Sequence, residues 1–275
     1  MGLRGRIRKL RLYYQSFKLF REVLRNPART LFLPIVGHGE FVSKNGVRFR
    51  VPKGCWFLLP NFCRLASMEA VPKVENGRKK VTLRNLTFYS PLEAKNEGIF
   101  YREVFIDDVY GIREKDLSGK TVVDVGAYVG DSAIAFAERG ATVYAFEPSA
   151  AVCSFLEENV AINPVPGKVI IQKFGLSDKE HALITSNDRM HFVEGVNFIL
   201  KNLPEDIDTL KMDCEECEYY LFRDARFLSH LNPQTIVMEY HRGGQELSDI
   251  LCKSGYSVRW DPNQYPVGYM YAKKK

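Results

Sequence analysis

No stretch of the 275 residues approaches 18 consecutive apolar positions, so no conventional membrane span is expected. Leu31–Val36 is apolar but short, and Pro34 interrupts it. The first residues lack an apolar core followed by a small-residue cleavage site, so export is not expected and a cytoplasmic location is. Cysteine is sparse: the six (55, 63, 153, 214, 217 and 252) are scattered through strand-like and helix-like surroundings, which suits reduced buried thiols better than a disulfide framework. Internal repeats are absent, and low complexity is confined to Lys273–Lys275. The 45% hydrophobic and 12% aromatic content can bury a substantial core and more than one domain.

A dinucleotide-binding glycine triplet is also missing. A pyrophosphate needs backbone N–H groups gathered at a helix N-terminus, usually by Gly-x-Gly-x-x-Gly. Here Thr-Val-Val-Asp-Val-Gly-Ala-Tyr-Val-Gly-Asp (121–131) has only Gly126 and Gly130 in its turn. Asp124, two residues before the first glycine, would repel a pyrophosphate and attract the ammonium of a methionine moiety. One helix-length later, Ala-Thr-Val-Tyr-Ala-Phe-Glu-Pro (141–148) is a second apolar strand ending in an acid, Glu147. Parallel sheets bind ligands at the carboxyl ends of their strands, where such an acid can accept ribose hydroxyls. Asp-x-Gly-x-x-x-Gly followed by this glutamate favours S-adenosylmethionine (SAM) over a dinucleotide.

With these blocks go Gly-Leu-Ser-Asp (175–178), Leu-Lys-Met-Asp-Cys-Glu (210–215) and Val-Met-Glu-Tyr-His (237–241). In order and spacing, over roughly residues 100–260, the chain resembles the FkbM-type SAM-dependent methyltransferases. The resemblance implies a class I methyltransferase fold, α/β and Rossmann-like, with a mostly parallel seven-stranded sheet whose last two strands form a reversed edge hairpin. It also implies O-methylation of sugars, glycolipids or polyketide-like products. One position departs from the family: Glu216 stands in Asp213-Cys-Glu-Glu-Cys-Glu218 where glycine is usual, which bears on the acceptor pocket.

Strands are expected near 120–125, 142–147, 168–174, 207–212, 234–240, 255–260 and 267–273, with helices over 130–139, 149–162, 217–229 and 244–254. The expected cofactor residues are Asp124, Gly126, Ala127, Tyr128, Gly130 and Asp131 in the first turn, Glu147 and Pro148 at the second strand end, and Leu176 and Ser177 beside the adenine. Asp213, Glu239 and His241 are the candidate catalytic residues, because a hydroxyl acceptor must lose its proton as it attacks. Glu215 belongs to the same acidic cluster, while Glu216 suits a helix start, where negative charge is favoured. No metal is expected, for want of tight ligand spacing, and Cys214 and Cys217 read as incidental thiols.

The net charge of +6 is concentrated at one end: residues 1–36 hold nine Lys/Arg and one acid, leaving 30 basic and 32 acidic residues in the rest. Ile7, Leu10, Tyr14, Phe17, Phe20 and Leu24 recur at helical spacing among these cations, and Asn26-Pro27 ends the pattern. A basic amphipathic helix of this kind reads either as peripheral membrane contact through residues 4–25 or as a helix docked on its own domain, with dimerisation a third option. Residues 37–98 read as β-rich, with a hairpin around Asn45-Gly46 and strands at Cys55–Leu59 and Val81–Tyr89 flanking a polar turn at 74–80. The resulting division is 1–36 basic helix and linker, 37–98 accessory β region, and 99–275 methyltransferase domain.

The expected partner is a glycan, glycolipid or small-molecule acceptor, with oligomeric state left open. An RNA methyltransferase is disfavoured because the domain is slightly acidic and lacks an Asn/Asp-Pro-Pro-aromatic block after the fourth strand. A non-catalytic membrane-surface protein is disfavoured by the retained cofactor residues.

Overall fold

The computed structural model describes residue 10 and residues 13–94, 96–186 and 188–275. The chain divides into two compact units, Met1–Val109 and Tyr110–Lys275.

In the second unit, apolar strands four to seven residues long alternate with helices, and a mostly parallel sheet with buried central strands results. Its strands are β6 (Thr121–Val125), β7 (Thr142–Phe146), β8 (Lys168–Gln172), β12 (Thr209–Met212), β13 (Thr235–Tyr240), β14 (Tyr256–Trp260) and β15 (Gly268–Lys274). They lie in the order β14-β15-β13-β12-β6-β7-β8, and β15 runs antiparallel to both of its neighbours. This is the class I methyltransferase sheet with its reversed terminal hairpin. Because β12 and β7 flank β6, the carboxyl ends of the first, second and fourth strands converge beside one turn.

The intervening helices are α5 (Asp131–Glu138), α6 (Ala150–Ile162), α7 (Gly195–Asn202), α8 (Cys217–Arg223), α9 (Ala225–Leu231) and α10 (Gln245–Lys253). The helix expected over 217–229 is broken at Asp224, whose carboxylate caps α9 by accepting from the Arg226 N–H. A second small sheet, absent from the sequence reading, joins β9 (Gly175–Ser177), β10 (His181–Ile184) and β11 (Arg189–Glu194). The core of this unit buries Val123, Phe146, Ile199, Leu210, Phe222 and Met238 among others.

The first unit holds α1 (Phe17–Val23), a 3-10 turn at Pro27–Phe32, a short helix α2 (Leu33–Val36), the hairpin β1 (Gly39–Val42) and β2 (Arg48–Val51), α3 (Leu59–Ser67), the meander β3 (Val71–Glu75), β4 (Arg78–Leu83) and β5 (Leu86–Pro91), and α4 (Glu97–Phe105). The β1–β2 hairpin brackets Asn45-Gly46. Two expectations are corrected. Cys55–Leu59 is a 3-10 turn leading into α3, not a strand; Leu58, Leu59, Phe62, Cys63, Leu65 and Ala66 are buried at helical spacing, and Pro60 suits a helix's first turn. The span 81–89 is two strands, turned at Arg84, and the 74–80 segment is itself strand on both sides of Asn76-Gly77.

The helix read over residues 7–25 is described only in part, and most of its cations before Tyr13 lie outside the described residues. Of its apolar side chains Tyr13, Phe20, Val23 and Leu24 are buried and Tyr14 is exposed, and the Tyr13 ring meets those of Phe20 and Trp56. A buried ion pair, Lys79 with Glu97, is held there too, with Ser90 and Asn61 donating to the same carboxylate. Among the described residues no helix is long and apolar enough to cross a membrane.

Candidate active site

The turn after β6 is shaped by close approach. Gly126 has φ +84°, and a side chain there would begin 1.8 Å from the carbonyl oxygen of Asp213, so only glycine fits. The N–H groups of Gly126 and Ala127 both donate to the Phe146 carbonyl, at 3.0 and 2.9 Å, tying the turn to the end of β7. Gly130, at φ +93°, opens α5 against Leu156.

Glu147 follows β7 and is buried. Its carboxylate accepts from the backbone N–H of Tyr128 at 3.1 Å and of Ser149 at 2.9 Å. Burial pushes its pKa up to about 6, with the two N–H bonds opposing. Two N–H donors leave lone pairs on this carboxylate, and the diol of a ribose is a fitting donor set. Pro148 packs beside Gly175, its Cβ 3.1 Å from where a side chain on that glycine would begin. Ser177 and Leu176 lie in β9; Leu176 is packed in the core, and the Ser177 hydroxyl donates to Asp178 at 3.1 Å.

Beneath the turn is a buried charge cluster. Lys211, in β12, places its ammonium 2.9 Å from Asp124 and donates to the Gly126 carbonyl at 2.8 Å. Ser132 donates to the other Asp124 oxygen at 2.6 Å. Asp124, expected beside the methionine ammonium, thus has one oxygen accepting from Ser132 and the other ion-paired with Lys211. Burial lowers the affinity of Lys211 for its proton, but Asp124, Asp213 and Asp131 outweigh that, and the net shift is upward. Asp131 is pushed up to about 7, first by burial, with Lys211 opposing and Asp124 adding. Three carboxylates around one ammonium leave negative charge in excess, and a cationic ligand group suits that excess. The residues present therefore fit SAM.

Across the sheet edge, His241 follows β13 and Asp213 follows β12. The ring's Nδ1 lies 3.4 Å from the buried carboxylate of Glu218, and Nε2 lies 3.8 Å from both Asp213 and Glu215. The bond to Glu218 raises its pKa to about 9, against burial and with the surrounding acids assisting. His241 is thus an imidazolium at neutral pH. Glu239 lies within β13, opposite Tyr269 in register. The loop beyond His241 is fastened to α8: the Arg242 N–H donates to the Tyr219 hydroxyl at 2.8 Å, which donates to the Gly243 carbonyl at 2.9 Å.

The segment between Asp213 and Glu218 corrects one expectation. Cys214 and Cys217 are joined in a disulfide, not free thiols. Glu215 and Glu216 both take left-handed backbone, with φ +54° and +83°, which folds the chain back and brings the two Cα atoms to 5.5 Å, within bridging range. Glu216, at the usual glycine position, is the residue with the larger angle, and it opens α8.

Lys211 and Glu218 had no role in the sequence reading. Lys211 lies in the 210–215 block and is the one cation of a strand buried throughout, and Glu218 follows that block by three residues.

No curated protein matches the chain. Among solved structures, similarity extends to the magnesium protoporphyrin IX methyltransferase ChlM of Synechocystis PCC 6803 with bound SAM (15% identity, 66% of this chain and 83% of that one, TM-score 0.43). It extends also to the tRNA m1G37 methyltransferase of M. jannaschii (12% identity, 75% and 63%, TM-score 0.45). A third is the ribosomal protein L11 methylase of Lactobacillus delbrueckii subsp. bulgaricus (18% identity, 70% and 83%, TM-score 0.40). Residues 124–258, from the first strand's aspartate through the start of the terminal hairpin, match the methyltransferase FkbM domain.

Proposed function

We propose that this SAM-dependent methyltransferase acts on a hydroxyl group of a glycan, glycolipid or small metabolite. The observation that carries the reading is the contact between Gly126 and the Asp213 carbonyl, which joins the cofactor turn directly to the carboxylate–imidazole cluster. SAM, when bound, supplies a methyl group already activated on a sulfonium, so the protein's work is positioning and proton management.

Glu147 accepts the ribose hydroxyls, and Asp131, near Lys211, receives the cationic methionine end. Asp213 has a partly exposed side chain and takes the acceptor's proton as the oxygen attacks. His241, charged through its bond to Glu218, orients Asp213 and draws it toward the reacting oxygen; it is not itself the base near neutral pH. Glu239, two residues before His241, is assigned a supporting electrostatic part. A polyanionic acceptor suits the site poorly, since residues outside the basic N-terminal segment carry two more acids than bases.

Transfer of labelled methyl from SAM to a panel of glycans, glycolipids and small alcohols, with RNA as comparator, tests this. Label should enter a hydroxyl-bearing acceptor. Asp213→Asn should retain SAM binding while losing about 10²- to 10⁴-fold in turnover. Label entering RNA alone, or undiminished turnover in that variant, would overturn the reading.

A further inference from the structure

Leu31, Phe32, Ile35 and Val36 are 43%, 63%, 81% and 54% exposed, four large apolar side chains turned to solvent within six residues of the first unit. They form a built projection rather than a loose loop. Thr30 is fully buried and its hydroxyl donates to the Pro27 carbonyl at 2.7 Å. The Tyr13 hydroxyl donates to the Thr30 carbonyl at 2.7 Å, and Leu33 points inward. The Gly54 N–H fastens the far end to the Gly37 carbonyl at 3.0 Å. The inward residues hold the turn, and the four outward ones do no packing work that would account for their type. Scattered single apolar residues on a surface need no explanation, but a contiguous set marks a contact site.

The charge around the projection identifies what it contacts. Arg29 lies within the 3-10 turn and is exposed, Arg25 is exposed just before it, and the Lys53 side chain lies against Gly37 at the other end. Lys44 adds its ammonium at the Arg21 carbonyl, 2.8 Å away, on the adjoining surface. Nearby acids include Glu22, paired with Lys18 at 4.0 Å, Glu40, and Glu93, which lies close enough to Cys55 to act on its thiol.

Apolar side chains rimmed by Lys and Arg are the composition of a segment that inserts into the boundary between headgroups and acyl chains. Each cation near such a surface adds attraction to anionic lipid. A second copy of the chain fits less well, since four side chains fall far short of the roughly 20 residues a side of a stable protein interface.

We infer that residues 31–36 form a shallow membrane-insertion tip that docks the protein on an anionic phospholipid surface. This moves the apolar contact away from residues 4–25, where Tyr13, Phe20, Val23 and Leu24 are buried within the unit. It stands independently of the methyl acceptor.

The test is sedimentation of the full chain with vesicles of phosphatidylcholine alone and of phosphatidylcholine with phosphatidylserine. Wild type should sediment with the anionic vesicles, less with added salt, and weakly with the neutral ones. Phe32→Ser combined with Ile35→Ser should cut partitioning roughly tenfold or more while melting temperature and SAM binding stay unchanged. In Phe32→Trp the emission should shift to the blue on anionic vesicles only. Equal sedimentation of wild type and the double variant, absence of wild-type binding to either vesicle, or a change of oligomeric state in the double variant would overturn the inference.

Discussion

At Lys211 and His241 burial opposes a positive charge and neighbouring carboxylates restore it. Lys211 is an ammonium taken out of water and kept charged by Asp124, so removing it strands a carboxylate in the core. Lys211→Met should destabilise the protein by about 3–5 kcal/mol, measured by denaturant unfolding. A loss under 1 kcal/mol would mean the cluster is not the anchor of the turn. His241 has its folded-state pKa raised from its ordinary value near 6.5 to about 9, so its contribution to stability is complete below pH 6.5 and is lost as pH rises through about 9. Unfolding of wild type and His241→Gln should therefore differ most in mildly acidic buffer. The gap should narrow by on the order of 1–3 kcal/mol above pH 9, and a gap independent of pH would contradict the pairing with Glu218. Neither pairing was legible in the sequence, because pairing across strands depends on which strand ends the topology brings together. The residue types at the strand ends, by contrast, were legible from Asp124, Glu147, Asp213 and His241.

Among the elements, the seven strands of the main sheet fall where apolar runs bounded by turn residues put them, because a strand buried on both faces has little freedom of composition. Short apolar runs without that context were ambiguous. Cys55–Leu59 reads as a strand in isolation, and only its continuation through Phe62, Cys63 and Ala66 shows the helical period. The sheet β9-β10-β11 escaped notice because its strands are only three to six residues long and β10 is mostly exposed. The element at Asp213–Glu218 is the most unusual, with left-handed Glu216 at a position where relatives typically have glycine and a disulfide closed over it. Thiol titration of protein purified without reductant and then denatured should count the four free cysteines, 55, 63, 153 and 252. A count of six would remove the bridge. Replacing both Cys214 and Cys217 with serine should cost about 2 kcal/mol, the chain-entropy value for so short a loop.

For the molecule as a whole, charge and chemistry are divided along the chain. The basic excess belongs to residues 1–36, and the candidate cofactor and acceptor residues lie within the matched segment at 124–258. That division was readable from the sequence. The use of the apolar side chains was not: helical periodicity in residues 13–24 does not distinguish a face packed on its own unit from one offered to a partner. The central claim is that the Gly126–Gly130 turn and Glu147 bind SAM. Calorimetry of the full chain with SAM, with NAD as control, and with Glu147→Ala beside wild type, tests it most directly. The account predicts binding of SAM but not NAD, affinity that falls as pH drops through about 6 and protonates Glu147, and at least a tenfold loss in the variant, the equivalent of about 1.4 kcal/mol. Failure of wild type to bind SAM, or equal affinity in Glu147→Ala, would contradict it.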